Sequence, residues 1–540
     1  MNASEWLVFI FIMLIIYGVS TWKLYEKVGR KPFEAFIPIY NLVILMKIIN
    51  RPSWWCVLLF VPIINLIMIP VVWVETIRSF GKNTTKDTLL VLFTLGFYIT
   101  YLNYTSQNLN YIENRDLNSQ TKGGDTVSSL LFAVIVATLV HTYIIQPFTI
   151  PSSSLEKTLL IGDFLFVSKI NYGPRTPMTT MALPMVHDSI PFFRTKSYVF
   201  SDDVTKKKTS LWNKFQLPYF RFPGIEKISR NEIVVFNQPA DTLRDMDNFR
   251  PDRNYYKPID KKTNLVKRCV GIPGDSLEIR NGDIYINGKL SVMPESAKPQ
   301  YNFLIDTKGE PISQDALVKI YGAREGLRYE NGVFAQTDKG QYFLTITEKE
   351  AALIAQNPVV KSVTKYIAPK GEGVSENVFP QIPSLGWNGD NFGPIYIPKK
   401  GATVKLDIKT LPFYKRIIQE YEDNILEVRG KEIIINGKVS NSYTFKQDYY
   451  WMMGDNRQNS LDARFWGYVP FDHIIGKPVF IWFSWDKDGK GFNKIRWNRV
   501  FSVVNINSEP KSYLIHVLVL IGVFIIIKGI IKKTKMRKEA

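Results

Sequence analysis

The sequence predicts a multi-pass α-helical membrane region followed by a mainly antiparallel β extracytoplasmic domain. Three observations predict this: long uncharged apolar runs, basic residues gathered beside some of them, and short β-rich segments divided by turn residues. At 540 residues the chain is too long for one ordinary core, so several domains are expected. The predicted divisions are 1–125 with about three apolar spans, 126–148 as a transmembrane helix, 149–512 as the β-rich domain, and 513–540 as a C-terminal transmembrane helix with a basic cytoplasmic tail.

The membrane region is predicted from five apolar stretches, because a spanning helix needs about 20 apolar residues. These stretches are 6–22, 52–74, 88–103, 127–148 and 513–531. The last one holds a single charge, Lys528, which can reach the interface from a helix end. The first has no basic start and no small-x-small exit before Trp22, so we expect a retained anchor and not a cleaved signal peptide.

The orientation is predicted from the basic residues, which gather on the cytoplasmic side of membrane proteins. Two groups of basic residues stand out. The first, between the first and second apolar runs, is Lys23, Lys27, Arg30, Lys31, Lys47 and Arg51. The second, after the last run, is Lys532, Lys533, Lys535, Arg537 and Lys538. If both groups lie in the cytoplasm, the N-terminus is outside and the C-terminus is inside. The number of spans is then odd, and residues 150–512 lie outside the membrane.

One loop opposes this arrangement, because Arg78, Lys82 and Lys86 would then face outward. The run 52–74 also contains two prolines and an asparagine, so a kinked or re-entrant segment is an alternative to a crossing. The segment 31–50 is too interrupted for a span. It is expected either to lie in the interface plane or to form a hydrophobic loop packed on neighbouring helices.

The β-rich domain is predicted from runs such as Glu232–Phe236, which alternate with Gly, Pro, Asn and Asp. Residues 277–289 (LEIRNGDIYINGK) and 426–438 (LEVRGKEIIINGK) are similar and of equal length, and they predict two related hairpins. The stretches near 174–229 and 290–424 carry few motifs and are predicted insertions.

The net charge and the composition limit the kinds of partner and cofactor that are expected. A formal net charge of +19 suits nucleic acid, an anionic membrane surface or basic loops beside spans. No helix-turn-helix, zinc-finger or RNA-binding pattern is present, so no nucleic-acid partner is expected. The two cysteines, Cys56 and Cys269, and the four scattered histidines have no metal-ligand spacing, so neither a metal nor a cofactor is predicted.

Three polar segments carry the candidate chemistry. Ser154 lies six residues beyond Phe148, and six extended residues span roughly 20 Å, so its hydroxyl is expected near the outer membrane surface. Lys267 lies in a strand-like apolar run whose burial would lower its pKa and leave it a neutral base. The segment 452–470 (MMGDNRQNSLDARFWGYVP) is dense in charges that need partners if they are buried.

Together these segments resemble the bacterial type I signal peptidase family. The family pattern P-S-G-S-M-x-P-T-L-x-x-G-D is similar to PSSSLEKTLLIGD at 151–163, and R-G-D-I-V-V-F is similar to RNEIVVF at 230–236. K-R-V-V-G-L-P-G-D corresponds to KRCVGIPGD at 267–275, and G-D-N-R-D-N-S-x-D-S-R-x-W-G corresponds to GDNRQNSLDARFWG at 454–467.

The resemblance implies a signal-peptidase-like β fold with large insertions and a Ser-Lys dyad, with Ser154 as nucleophile and Lys267 as general base. It implies an oxyanion hole made by the Ser152 hydroxyl and the Ser154 amide, and a serine, Ser460, that orients the lysine. The residues implied in structural ion pairs are Asp455, Arg457, Asp462 and Arg464. The residues implied to line the substrate pockets are Phe148, Ile150, Leu155 and Val266.

The implied function is a serine endopeptidase of the bacterial cytoplasmic membrane that removes signal peptides from exported preproteins after small residues at −1 and −3. The implied partners are these preproteins, membrane lipid and the protein-export machinery.

The chain departs from the family pattern at five positions, with Ser153 for Gly, Leu155 for Met, Lys157 for Pro, Gln458 for Asp and Ala463 for Ser. The changes at Ser153 and Lys157 motivate an alternative, a catalytically inactive membrane-tethered binding homologue. A second alternative is a Ser-Lys protease of the self-cleaving repressor type, which would be cytosolic and normally joins a DNA-binding segment that is absent here.

Overall fold

The structure is a computed structural model that describes residues 3–105, 109–118, 121–206, 209–239, 257–330, 332–337, 339–372, 378–487, 489, 491–505, 507–508 and 510–539. The chain divides into two compact units. The first comprises Met1–Ile145, Pro174–Pro223 and Asp241–Lys262, and the second comprises Gln146–Gly173, Gly224–Ala240 and Thr263–Ala540. The segment 174–223, predicted as part of an insertion into the β domain, therefore groups with the N-terminal helices.

The helices lie mostly in the first unit. In chain order they are α1 (Ala3–Lys27), α2 (Tyr40–Ile48), α3 (Trp55–Leu58), α4 (Asn65–Ser79), α5 (Thr85–Phe93), α6 (Phe97–Thr105), α7 (Lys122–Leu139), α8 (Leu211–Lys214), α9 (Glu348–Ile354), α10 (Leu411–Arg416), α11 (Ala463–Trp466) and α12 (Leu514–Glu539). A π-helical turn, Val140–Ile144, extends α7.

Three helical segments among the described residues are long and apolar enough to cross a membrane. They are Ser4–Lys27, Lys122–Ile144 and Leu514–Ile531. Helices α5 and α6 are bent by 116° relative to each other and would add a fourth span only if the pair crossed as one. The side chains of the predicted basic cluster from 532 onward lie outside the described part of the chain.

The apolar run 52–74, expected as a span, folds back on itself. It contains the short helix α3 and most of α4, which has Pro70 in its interior. Arg51, before the run, donates from Nε to the carboxylate of Glu75, after the run, at 2.9 Å. Because the two ends meet, this run does not form one continuous helix, and it is not among the helices that are long and apolar enough to cross a membrane.

The start of α1 and the end of the α7 segment lie against the same part of the first unit. Trp6 Nε1 donates to the carbonyl of Gln216 at 3.0 Å, and Phe9 packs edge-on to Phe215. Tyr143 packs edge-on to Phe222. Trp6 lies near the beginning of one long helix and Tyr143 near the end of the other, so both ends contact the segment 215–222.

Strands dominate the second unit. In chain order they are β1 (Ile145–Thr149), β2 (Asp163–Ser168), β3 (Ile233–Asn237), β4 (Asn264–Gly271), β5 (Ser276–Arg280), β6 (Asp283–Ile286), β7 (Lys289–Leu290), β8 (Gln300–Thr307), β9 (Glu325–Gly326), β10 (Gln341–Thr347), β11 (Val360–Lys365), β12 (Phe392–Tyr396), β13 (Thr403–Lys405), β14 (Leu426–Arg429), β15 (Glu432–Ile435), β16 (Lys438–Val439), β17 (Ser442–Thr444), β18 (Tyr449–Met453), β19 (Val469–Pro470), β20 (Ile474–Ser484) and β21 (Ser502–Val503).

The largest sheet has the order β1-β2-β20-β3-β4-β18-β19, with β21 added on β20. Its neighbouring strands pair antiparallel along β2–β20, β20–β3, β3–β4 and β4–β18, as the sequence predicts for this domain. Strands β3 and β18 are buried along their whole length. Apolar clusters cover both faces, so polar side chains on the central strands are shielded from water.

The two similar segments form two similar hairpins, as predicted. In the first, β5 pairs with β6 and Leu277 faces Ile286. In the second, β14 pairs with β15 and Leu426 faces Ile435. The register is the same because the apolar positions match and both connections have two residues, Asn281-Gly282 in the first hairpin and Gly430-Lys431 in the second.

The predicted insertion 290–424 consists of two structurally different parts. Its first part contains the sheet β11-β8-β10-β9 and helix α9, around a hydrophobic core of its own. Its later part adds β12 to the first hairpin and shares one large core with β5, β6 and β18. The first part is the one that reaches the candidate site.

Candidate active site

Ser154 lies in the loop 151–162, which joins β1 to β2 and is called the serine loop below. The loop begins with a short 3₁₀ helix, Ser153–Leu155, and closes where the amide of Gly162 donates to the carbonyl of Ile150 at 3.0 Å. Gly162 has a φ of +86°, and a Cβ there would lie 2.0 Å from the carbonyl oxygen of Trp485. Only glycine fits this position, so Gly162 is required for the loop to close in this way. Ser154 itself is 5% exposed.

Lys267 projects from the middle of β4, between β3 and β18, and is 2% exposed. Its Nζ donates to the Ser154 Oγ at 2.6 Å. The two residues are 113 positions apart in sequence, so the pairing of the sheet brings them together. The structure therefore places the two residues of the expected dyad in direct contact.

The electrostatic surroundings of Lys267 favour its neutral form. Burial lowers the pKa of Lys267 from its ordinary 10.5 to about 8. The negative charges of Asp462 and Asp455 oppose this change in pKa, while the positive charge of Arg464 adds to it. A lysine with this pKa is partly deprotonated near neutral pH and can accept a proton.

The expected oxyanion-hole groups lie at the beginning of the same short helix. Ser152 precedes the helix in an extended conformation, with φ −128° and ψ 158°. The amide of Ser154 belongs to the first turn, where N–H groups have no partner inside the helix. Ser153 does not have a positive φ, so a serine in place of the family's glycine strains no backbone here.

The four expected pocket residues come together in one apolar cluster beside the dyad. Ile150 and Leu155 are buried in this cluster, and Phe148 and Val266 pack against it. Phe148 belongs to β1, an outer strand of the large sheet. An apolar surface next to the serine can receive small side chains of a substrate.

The polar loop 454–460 follows β18 and is held by two buried ion pairs. Asp462 accepts from Nε of Arg464 at 2.9 Å, which is the expected pair. Asp455 pairs with Arg268, whose Nε and Nη2 donate to its two oxygens at 2.7 and 2.6 Å. Burial alone would raise the pKa of Asp455, but the charge and hydrogen bonds of Arg268 hold it below its usual range.

Two expected supporting residues each have a buried polar atom without a hydrogen-bond partner among the described residues. The Nε of Arg457 is buried and has no hydrogen-bond partner among the described residues. The same is true of the Ser460 Oγ, so the hydrogen bond from Ser460 to the lysine is not formed here. Ser460 packs against Gly454, where a Cβ would lie 2.2 Å from the Ser460 Oγ.

Comparison with known protein families matches residues 124–345 and 418–485 to the signal peptidases described as peptidase S26, and these residues are more than half of the chain. The chain belongs to this signal peptidase family. It is therefore a serine protease, which is a hydrolase. Residues 33–114 match a second family, described as a family of unknown function (DUF5684).

Several bacterial relatives of this signal peptidase are named Signal peptidase I. That of Buchnera aphidicola subsp. Schizaphis graminum is 24% identical over 366 residues, which are 67% of this chain and 75% of the relative. That of Helicobacter pylori is 24% identical over 388 residues, 70% of this chain and 91% of the relative. That of Rickettsia rickettsii is 23% identical over 405 residues, which are 72% of this chain and 96% of the relative.

In this signal peptidase the sequence reasoning missed one residue of the site, Arg268. It follows Lys267 in β4, and successive side chains of a strand point to opposite faces. A strand buried on both faces must therefore provide a partner for the arginine as well as for the lysine. The acidic residues of 454–467 were the available signal for that partner.

Proposed function

We propose that this signal peptidase removes N-terminal signal peptides from exported preproteins with Ser154 as nucleophile and Lys267 as general base. The observation that carries the proposal is the 2.6 Å contact between the Ser154 Oγ and a buried lysine amine. Serine is a poor nucleophile at its ordinary pKa and needs an adjacent base. A buried neutral amine at this distance is such a base.

In the proposed acylation step, neutral Lys267 accepts the proton of Ser154 as the Oγ attacks the carbonyl carbon of the scissile bond. The Ser154 amide and the Ser152 hydroxyl donate to the resulting oxyanion, and each such donor is worth about 3–4 kcal/mol of barrier. The protonated Lys267 then gives its proton to the leaving amine. Water, deprotonated by the same lysine, releases the signal peptide from the acyl-enzyme.

We propose that the substrate binds as an extended strand beside β1, with small side chains at −1 and −3 in the apolar cluster of Phe148, Ile150, Leu155 and Val266. Strand addition suits the position of β1 at the end of the sheet. A cluster packed around buried Ile150 and Leu155 leaves little room for large side chains. The proposal therefore predicts a preference for alanine-sized residues.

We further propose that the second unit lies on the extracytoplasmic side of the bacterial cytoplasmic membrane. The relatives and the three apolar helices support a membrane-anchored protein. With the run 52–74 re-entrant, Arg78 and Lys82 fall on the same side as Arg51, so the loop that opposed the orientation no longer does so. Helices α1, α7 and α12 then give the odd number of crossings. In this position the enzyme meets preproteins in membrane lipid, next to the protein-export machinery.

A preprotein with alanine at −3 and −1 tests the proposed function. Purified enzyme in detergent or vesicles should release the mature protein, and N-terminal sequencing should give the residue that follows the −1 alanine. The matched substrate with tryptophan at −1 should remain uncleaved, since the indole exceeds the apolar cluster. Equal cleavage of both substrates would contradict the proposed pockets.

The pH dependence of cleavage tests the role of Lys267. Because only the neutral amine accepts a proton, kcat/KM should fall about tenfold for each pH unit below a midpoint near 8, the pKa of Lys267. Above that midpoint kcat/KM should be constant until the protein unfolds. The measurement is the initial rate on a short peptide at low concentration from pH 5 to 10. A maximum in the acid range would contradict a lysine base.

A further inference from the structure

The residues 296–365, called the clamp subdomain below, contain β8 to β11 and α9 and lie in the same compact unit as the serine loop. Their own hydrophobic core includes Ile305, Leu344, Ile346 and Ile354. A body with its own core can hold a neighbouring loop at fixed points. The described residues give three such points on the serine loop and the polar loop 454–460.

The first point is Gln300, the opening residue of β8. Its amide donates to the carbonyl of Asp455 at 2.9 Å, and its carbonyl accepts from the amide of Arg457 at 3.2 Å. Its side-chain Nε2 donates to the carbonyl of Glu156 in the serine loop at 3.1 Å. Gln300 is 1% exposed, so these hydrogen bonds do not compete with water.

The second point is Glu325 in β9, whose carboxylate accepts from the side chains of Asn456 and Asn459. Asn456 also donates from its amide to the carbonyl of Ser154 at 3.1 Å and from Nδ2 to the carbonyl of Ser153 at 3.2 Å. The backbone of the nucleophile is thus connected through one asparagine to the clamp subdomain.

The third point is an ion pair between Lys157 of the serine loop and Glu350 in the first turn of α9. Lys157 has a φ of +70°, a left-handed conformation that costs a lysine free energy. The proline of the family pattern cannot adopt a positive φ, so this turn is specific to chains with another residue here. The two side chains are 14% and 21% exposed, which limits screening of the pair by solvent.

We propose that Lys157 and Glu350 are positioning residues that hold the serine loop in its left-handed turn and thereby align the Ser154 Oγ with Lys267. The inference rests on the proposed function of the dyad. Lys157 is three positions after Ser154 in the same loop, so release of the ion pair lets the turn relax and moves the hydroxyl away from the amine. A displacement of about 1 Å can cost about 100-fold in rate. Neither side chain of the pair belongs to the apolar cluster that is proposed to bind the substrate.

The test is steady-state cleavage of a peptide substrate by full-length Lys157→Ala, Lys157→Arg, Lys157→Gly and Glu350→Gln enzymes. Lys157→Ala and Glu350→Gln should lower kcat by about 10–100-fold, with KM and the pH midpoint of kcat/KM unchanged. Glutamine still completes the capping box at the start of α9, so Glu350→Gln removes the charge and keeps the helix. Lys157→Arg should have a kcat close to that of the wild type, because the ion pair can re-form. The kcat of Lys157→Gly should be higher than that of Lys157→Ala, because glycine adopts a positive φ freely.

Controls separate this role from folding and from the proposed function. Lys361→Ala removes an exposed ion pair with Asp306 on the same subdomain and should cleave as the wild type does. The thermal midpoint of each variant shows that it is folded. Wild-type kcat in Lys157→Ala, a change confined to KM, or a shifted pH midpoint would each overturn the inference. Full activity of Ser154→Ala in the same assay would instead overturn the proposed function.

Discussion

Replacement of Ser154 by alanine should abolish cleavage of a preprotein, with a loss of at least about 10⁴-fold in kcat. The alanine removes the Oγ that lies 2.6 Å from the lysine amine, and no covalent intermediate can then form at this position. The measurement is the appearance of mature protein on a gel after incubation with purified wild-type or variant enzyme. KM should change little, because the apolar cluster around Leu155 remains.

The neighbouring serine is the matched control for this variant. Ser153 is in the same 3₁₀ helix, and only its carbonyl takes part in the contacts described above. Ser153→Ala should therefore cleave at the wild-type rate. Equal processing by Ser154→Ala would refute the nucleophile, and a wild-type enzyme that binds preproteins without cleaving them would favour the inactive binding homologue.

Replacement of Lys267 by arginine should also inactivate the enzyme, by about 10²–10⁴-fold in kcat/KM. Arginine keeps its positive charge at every accessible pH and cannot act as the base. Raising the pH should not recover the rate, whereas it does so for the wild type. Combining Lys267→Arg with Ser154→Ala should cost little beyond Ser154→Ala alone, since the two residues act as one unit.

A lysine on the same sheet provides the comparison for this substitution. Lys477 in β20 donates to Glu226 and Glu232 at 2.8 and 2.7 Å, and an arginine can make the same charged hydrogen bonds. Lys477→Arg should retain the wild-type rate and pH profile. Appreciable activity of Lys267→Arg at neutral pH would exclude this lysine as the base.

The two residues of the expected dyad could be singled out because each lies in a short segment that resembles a family pattern. The strand around Lys267 is apolar on both sides, which predicts burial, and the serine follows a long apolar run at a fixed distance. The hairpin register was predictable because its signals are local. Asn-Gly turns and alternating apolar residues act over a few positions only.

The partners of the serine loop could not be predicted, because they depend on pairing between distant segments. Lys157 and Glu350 are 193 positions apart, and Gln300 is 144 positions from Glu156. By sequence alone, Glu350 and Gln300 cannot be told apart from solvated surface residues of a polar insertion. The same limit applies to Arg268 and Asp455, 187 positions apart.

The membrane region shows a different limit of sequence reasoning. The length and apolar character of 52–74 predict a crossing, whereas in the structure Arg51 and Glu75 at its two ends are in contact. Opposite charges that flank an apolar run are common beside true spans as well. Their contact is a property of the fold and not of composition.

Strand β4 presents a titrating amine, Lys267, on one face and a permanently charged guanidinium, Arg268, on the other, and both are shut away from water. In physiological salt, dissolved ions largely screen interactions between exposed charges more than about 8 Å apart, but they screen buried charges much less. If Lys267 is the base, we expect the bond-breaking step to depend little on the ionic strength of the surroundings. Changes in salt or in lipid headgroup charge should then alter the binding of a preprotein more than kcat.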